Sequence, residues 1–356
     1  MKAFQDCCAV IDLSEIKRFL IQRSLRQFPA GSIGASMVKI DLTKFVVFFF
    51  SFLFLLAVLT NVADAQEKKK TFAVIPVQLA NPFFAEIERG AKEQSEKLGV
   101  NLLYTASATS DQAGQVQVFR DVMTRGVNGI AIAPVNGGVL VGVIGEARKK
   151  GIAVVMMNGD SPHSERQAYV GTDQLAASRK AGEVFKSLLP KGKYAILTGN
   201  IAAVDMQQRL EGFKESIKDG AYTEVAGSPF ACNDDLKTAV QIVQDVLTKY
   251  PDLDGFYFAG GWPMFAPEAY VKALGGRAAD IKSKKLVIVS FDTLPEQLTL
   301  LKEGYASVLI GQRPYKIGIE VINTLNDLAA GQKVPAVVDT GTDVVDQNNV
   351  DQFLKK

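Results

Sequence analysis

The residues best suited to chemistry in this chain stand just beyond short apolar runs. Asn81 follows Thr71–Val77 in the string Asn81-Pro82-Phe83-Phe84, and Asn158 follows Ala153–Met157 in Asn158-Gly159-Asp160. Phe291 and Asp292 close Leu286–Phe291, and Gln312 ends Val308–Gln312 ahead of Arg313-Pro314. Trp262 comes after Gly255–Ala259, and Arg209 lies near a helix start in Gln207-Gln208-Arg209-Leu210-Glu211-Gly212-Phe213. Asparagine and glutamine both donate and accept, aspartate accepts, and arginine donates in a rigid fork. Flat rings cover apolar C–H faces. A small polyhydroxylated ligand such as a sugar needs this combination, partners for its hydroxyl rim and cover for its faces. Each residue also has a plainer reading. Phe83 and Phe84 could be core, although two adjacent aromatics at a helix start are not expected both to face it. Trp262 could anchor a loop, Asp292 could cap the next helix, and Arg209 could pair with Glu211.

Other chemistries are missing. There is no G-x-x-x-x-G-K-[ST] loop, and the turn after the first run reads Pro76-Val77-Gln78-Leu79-Ala80-Asn81, not a glycine-rich dinucleotide loop. Gly137-Gly138 has neither the third glycine nor the downstream acid that such a loop needs. No G-x-S-x-G elbow occurs. One histidine, His163 in a polar loop, and three cysteines exclude catalysis or metal binding by paired histidines and any zinc site with Cys₂His₂ or Cys₄ ligation. Asp234-Asp235 reads as a helix cap. No metal or cofactor is expected. A formal charge of +2, from forty basic and thirty-eight acidic residues, gives no basis for nucleic-acid binding.

The elements that must position these residues alternate. Runs at 71–77, 101–105, 129–133, 153–157, 194–198, 255–259, 286–291 and 308–312 are nearly continuous in apolarity, as strands buried on both faces should be. Between them the spacing predicts helices over 83–98, 112–125, 176–188, 206–218, 236–249 and 315–330. Asn81-Pro82 is an N-cap followed by proline at the first helical position, and Gly99 ends that helix. A strand-then-helix unit recurring about every 25–30 residues implies parallel sheets. At 356 residues the chain has room for about two domains. No flexible linker separates them, so the chain must cross between them in short segments.

Phe45–Leu59 is an apolar stretch broken only by Ser51, preceded by Lys39 and Lys44 and followed by Ala63-Asp64-Ala65. That is the pattern of a secretory signal peptide, too short for a membrane span of ~20 residues. Residues 1–65 are therefore read as an upstream extension and signal peptide, with translation starting at Met37 and cleavage after Ala65. The chain from Gln66 onward then carries 33 basic and 33 acidic residues and one cysteine, Cys232. A soluble periplasmic protein follows from this reading.

From about Lys70 to Lys356 the chain resembles the periplasmic sugar-binding proteins of the ribose-binding type. The resemblance rests on Asn81-Pro82-Phe83-Phe84, Gly171-Thr172-Asp173 ahead of Arg179-Lys180-Ala181-Gly182-Glu183, and Arg209-Leu210-Glu211-Gly212-Phe213. It continues through Tyr250-Pro251-Asp252-Leu253-Asp254-Gly255, Phe291-Asp292 and Gln312-Arg313-Pro314-Tyr315. It implies an α/β fold of two doubly wound parallel-sheet lobes joined by a three-segment hinge, the type I periplasmic binding protein fold. The lobes would comprise 71–172 with 313–341, and 173–312 with 342–356. Crossovers would fall near Thr172-Asp173, Gln312-Arg313 and Gly341-Thr342.

The resemblance also implies ligand contacts from Asn81, Phe83 and Phe84 in the first lobe, and from Arg209, Phe291, Asp292 and Gln312 in the second lobe or hinge. Asn158 and Trp262 join this ligand-binding set. Asp292 would accept two sugar hydroxyls, with Arg209 strengthening the same network. The chain departs from ribose binders at Ala133, at Asn158-Gly159 and around Trp262, which would stack on the ligand or narrow the pocket. Losing polar partners and adding a ring should change which sugar fits, so a hexose, an inositol or a modified sugar competes with ribose. The implied function is capture of a sugar in the interlobe cleft, closure of the hinge and delivery to the membrane permease of an ABC importer by a non-enzymatic monomer. Signalling to a chemoreceptor or sensor kinase is a second output. A secreted sugar-modifying enzyme and a transcription regulator on the same fold are the readings from other classes.

Overall fold

The structure, a computed structural model, describes residues 69–108 and 111–355. The signal segment and the start at Met37 lie outside the described residues, as do Cys7 and Cys8. Among the described residues no helix is long and apolar enough to cross a membrane.

The first lobe begins with β1 (Thr71–Ile75), α1 (Pro82–Leu98), β2 (Asn101–Tyr104), α2 (Gln112–Thr124) and β3 (Gly129–Ile132). It continues with α3 (Val141–Lys149), β4 (Ala153–Met157) and β5 (Ala168–Gly171). The chain then crosses into the second lobe with α4 (Gln174–Leu188), β6 (Lys191–Thr198), α5 (Val204–Ile217), β7 (Ala221–Glu224) and β8 (Phe230–Ala231). There follow α6 (Leu236–Lys249), β9 (Gly255–Phe258), α7 (Pro267–Leu274), α8 (Ala278–Lys282), β10 (Val287–Phe291), α9 (Pro295–Lys302) and β11 (Val308–Gly311). It returns through α10 (Pro314–Ala329) and β12 (Val337–Asp339), and crosses a third time to β13 (Asp343–Val345) and α11 (Val350–Leu354).

One sheet runs β12-β5-β4-β3-β1-β2 and is parallel throughout. The other runs β13-β11-β10-β9-β6-β7, with β8 paired to β6 and β13 antiparallel at the edge. All eight strands expected from the apolar runs are present. The short β5, β7, β8, β12 and β13 were not separable from their polar surroundings.

Each sheet is covered on both faces, which is why its strands read as unbroken apolar runs. In β1, Phe72 and Val74 join a core layer with Ile87 of α1 and Ile317, Val321 and Leu325 of α10. Ala73 and Ile75 point the other way, to Phe119 of α2 and Ile144 of α3. The period-2 alternation is intact, and both sides are dry. Helices α1 and α10 touch closely. A Cβ on Gly318 would stand 2.1 Å from the Ile87 carbonyl oxygen, so only glycine fits that crossing.

The three crossovers lie side by side and are laced together. Thr340 N–H donates to Gly171 O at 2.9 Å, and Tyr169 Oη donates to Thr172 O at 2.8 Å. Arg313 grips both Asp343 oxygens, at 2.7 and 2.9 Å, and donates to Thr340 O at 3.2 Å.

Candidate functional site

The strand ends of the two lobes face each other across a cavity of about 60 Å³. By this measure one water needs ~10–15 Å³, so the space takes roughly four to six water-sized groups. The lobes are shut around it. Gln78 of the first lobe donates to Asp234 O at 3.2 Å, Asn200 of the second donates to Val135 O at 3.3 Å, and Leu294 enters the first lobe's core layer.

Local sequence places each wall residue. Asn81 caps α1, its side-chain oxygen accepting from Phe83 N–H at 2.9 Å. The cap uses the acceptor, so what Asn81 presents to the cavity is its NH₂ group, which makes no hydrogen bond among the described residues. Phe83 and Phe84 meet edge to face at 5.5 Å. Both are buried in the first lobe's core layer and both line the cavity. The expectation that adjacent aromatics cannot share the core is thus corrected: the closed second lobe covers the helix start, so both faces of that turn are interior. Gln115 holds the exit of β3, donating to Ala133 O at 2.8 Å and accepting from Val135 N–H at 2.9 Å.

A buried chain of polar side chains runs from the first lobe through the hinge to the second. Gln174, at the first crossover, donates to Asn158 O at 3.0 Å and to Gln312 Oε1 at 3.2 Å, and accepts from Arg209 Nε at 2.9 Å. Gln312 donates to Asp292 Oδ1 at 2.7 Å, and the Gly261 N–H reaches Asp292 Oδ2 at 3.2 Å. Each Asp292 oxygen retains a lone pair for a further donor. Asp292 does not cap the next helix; α9 begins at Pro295, where Gln297 accepts from Leu294 N–H.

Arg209 is 2% exposed. Its Nη1 donates to Ala259 O at 2.6 Å, and its guanidinium lies 4.0 Å over the Phe291 ring. It makes no ion pair with Glu211. Phe291 is not in the cavity wall; it is the platform behind Arg209, itself braced edge to face by Tyr257 at 6.3 Å. Trp262 lines the cavity while belonging to the second lobe's core. Gly260 makes room for it, since a Cβ there would come within 2.3 Å of the indole.

Asn158, Asp234 and Asp292, all on the cavity wall, have left-handed backbones, with φ of 60°, 63° and 74°. Such strain in non-glycine residues persists where surroundings over-determine it, and it concentrates at functional sites.

Eight of the nine residues expected at the site therefore line one cavity: Asn81, Phe83, Phe84, Asn158, Arg209, Trp262, Asp292 and Gln312. Sequence reasoning missed Gln174, which looked like an ordinary first-turn residue of α4. It also missed Asp205 and Asp234. Of the pair read as a helix cap, Asp235 does cap α6, accepting from Thr238 N–H at 2.7 Å, but Asp234 faces the cavity. Burial pushes the Asp292 carboxyl above its usual range, against the pull of Arg209. Asp205 is raised for the same reason. Burial, with the Asp205 charge beside it, lifts Asp234 to about 7. Among the described residues no cluster of side chains has the makeup to hold a metal ion.

Comparison with known proteins agrees with this fold. The family model described as periplasmic binding protein domain matches residues 72–333. The D-allose-binding periplasmic protein of Escherichia coli is 26% identical over 273 residues, covering 74% of this chain and 86% of its own. The D-ribose/D-allose-binding protein of Pseudomonas aeruginosa is 27% identical over 297 residues, covering 80% and 90%. Among solved structures, an ABC transporter solute-binding protein from Burkholderia graminis in complex with D-arabinose superposes with a TM-score of 0.72 at 31% identity, over 80% of this chain and 98% of its own. The glucose-galactose binding protein GanP of Geobacillus stearothermophilus gives 0.72 at 28%, over 80% and 99%.

Proposed function

Because the chain belongs to the periplasmic binding protein domain family, we propose that it is the solute receptor of an ABC sugar importer, closing its two lobes around one monosaccharide-sized ligand. The observation that carries this reading is the polar chain Asn158–Gln174–Gln312–Asp292, which spans both lobes and the hinge and borders the interlobe cavity. A ligand seated there touches both lobes at once, so it favours the closed state by its differential contacts. Room for roughly four to six water-sized groups fits a single sugar ring and is too small for an oligosaccharide.

In this reading Asp292 accepts hydroxyls with its remaining lone pairs. The Asn81 amide donates from the first lobe, and Phe83, Phe84 and Trp262 cover the ring. Arg209 and Gln312 hold Asp292 and its surroundings in place. The chain works in the periplasm and passes its ligand unchanged to the membrane permease. Its relatives bind D-allose, D-ribose and D-arabinose, which supports a pentose or hexose as the class.

The test is a thermal-shift screen of the protein, stripped of co-purified ligand, against pentoses, hexoses and polyols. A ligand at a hundredfold excess over Kd stabilises the folded state by about 2.7 kcal/mol. Saturable binding with the sugar recovered intact supports a receptor. Product formed on prolonged incubation, or no shift with any sugar, overturns it.

A further inference from the structure

We propose that the cavity is built for a sugar or polyol carrying a protonated amine, with the ammonium held between Asp205 and Asp234. This rests on the sugar-receptor reading and narrows its ligand class.

The charges around the cavity do not balance. Three carboxyls line it, Asp205, Asp234 and Asp292, against one cation, Arg209. Arg209 is already committed through Nε to Gln174 and through Nη1 to the Ala259 carbonyl, and it forms no ion pair within 4.0 Å with any of the three. Asp292 has two protein donors of its own, Gln312 and the Gly261 N–H. Asp205 is met only by backbone N–H groups at the start of its own helix. Among the described residues none donates a hydrogen bond to the Asp234 carboxyl, and its backbone is held in the left-handed region. The two acids are close enough for the charge on Asp205 to raise Asp234. Nearby, Asn158 Oδ1 is a buried acceptor with no partner. That end of the cavity is rich in acceptors and short of donors.

Asp205 and Asp234 are half-buried, and a carboxylate withdrawn from part of its water without a partner gains from a counter-ion. A neutral hydroxyl supplies one donor and no charge. An ammonium supplies three donors, no acceptor and the missing positive charge.

The experiment measures Kd by calorimetry for D-glucosamine, D-galactosamine and D-mannosamine, each beside its parent hexose and its N-acetyl derivative. The N-acetyl group keeps the nitrogen and removes the charge. At least one amine is expected to bind about tenfold or more tightly than its parent, with the N-acetyl form weaker than both. In the Asp205→Asn/Asp234→Asn double variant the amine-to-parent ratio is expected to collapse toward one. A parent hexose binding as tightly as its amine, or a preference that survives the double variant, overturns the amine subsite and leaves the sugar receptor standing. Binding of neither hexoses nor hexosamines overturns both. A thermal shift with calcium chloride alone and none with the amines also overturns it, in favour of an inorganic cation.

Discussion

Gln312 donates its side-chain amide to Asp292 Oδ1 at 2.7 Å, so the last residue before one crossover fixes the carboxylate at the end of the neighbouring strand. The hinge and the cavity wall are thus one hydrogen-bonded object. Replacing Asp292 by alanine leaves the Gln312 amide and the Gly261 N–H without their acceptor and removes the hydroxyl acceptor from the cavity. Affinity for the sugar is expected to fall by about 2 kcal/mol or more, roughly thirtyfold. Calorimetry on Asp292→Ala checks this; unchanged Kd would remove Asp292 from the site.

Gln174 touches Asn158, Gln312 and Arg209 while lining nothing itself. Its loss orphans the Gln312 Oε1 acceptor and a charged donor in a dry interior, and leaves the Asn158 carbonyl to the Tyr169 hydroxyl, 3.0 Å away. Gln174→Ala is expected to lower unfolding stability by about 1–3 kcal/mol in urea and to weaken ligand binding as well. Gln174→Glu, which keeps the acceptor for Arg209 but loses the donor to Asn158, should recover only part of either. Wild-type stability and affinity in Gln174→Ala would show the polar chain to be incidental.

Trp262 is the one tryptophan of the chain and sits in the cavity wall. Intrinsic fluorescence is expected to change saturably on ligand addition, with a midpoint equal to the calorimetric Kd. The change should vanish in Trp262→Phe. A silent tryptophan in a protein that demonstrably binds sugar would place the ligand away from this wall.

Asp234 is raised from 3.8 to about 7, and Asp205 and Asp292 are raised in the same direction. A carboxyl whose folded-state pKa exceeds its unfolded one holds its proton more tightly in the folded protein. Stability of the empty protein is therefore greatest at low pH in this window and is lost as pH rises from about 4 through 7. Melting temperatures at pH 5, 6, 7 and 8 are expected to fall more steeply for wild type than for Asp234→Asn. Parallel profiles would mean that Asp234 is already ionised, or paired, in the empty protein.

The fold was legible because burial on both sheet faces makes a strand an uninterrupted apolar word, as in Ala153–Met157. Edge strands such as Val337–Asp339 have no such signal, since their neighbours and exposure decide them. At the site, Asn81, Asp292 and Gln312 were readable because each ends a legible strand or caps a legible helix. Asp234 was not readable. Beside Asp235 it looks like a capping acid, and only the three-dimensional approach of its loop to the Asp205 turn turns it toward the cavity. Gln174 shows no local pattern because its role lies in contacts to residues 158, 209 and 312. Phe291 shows the opposite error, a residue at the right strand end whose ring faces backward to carry Arg209.

The first sheet takes its edge strand from residues 337–339, and α10, residues 314–329, covers one face of it. A chain leaving the ribosome from its N-terminus has therefore made the whole second sheet except β13 before the first can be finished. Until then, Phe72, Val74 and Val155 have α1 but lack the second helix of their layer, and the early half of the protein is a sticky, incomplete layer. The second lobe's main strands and helices are nearly contiguous in sequence and can collapse first; the half synthesised earlier finishes later. Order of synthesis and order of completion are reversed, a vulnerability to aggregation set by connectivity and not by any single weak contact.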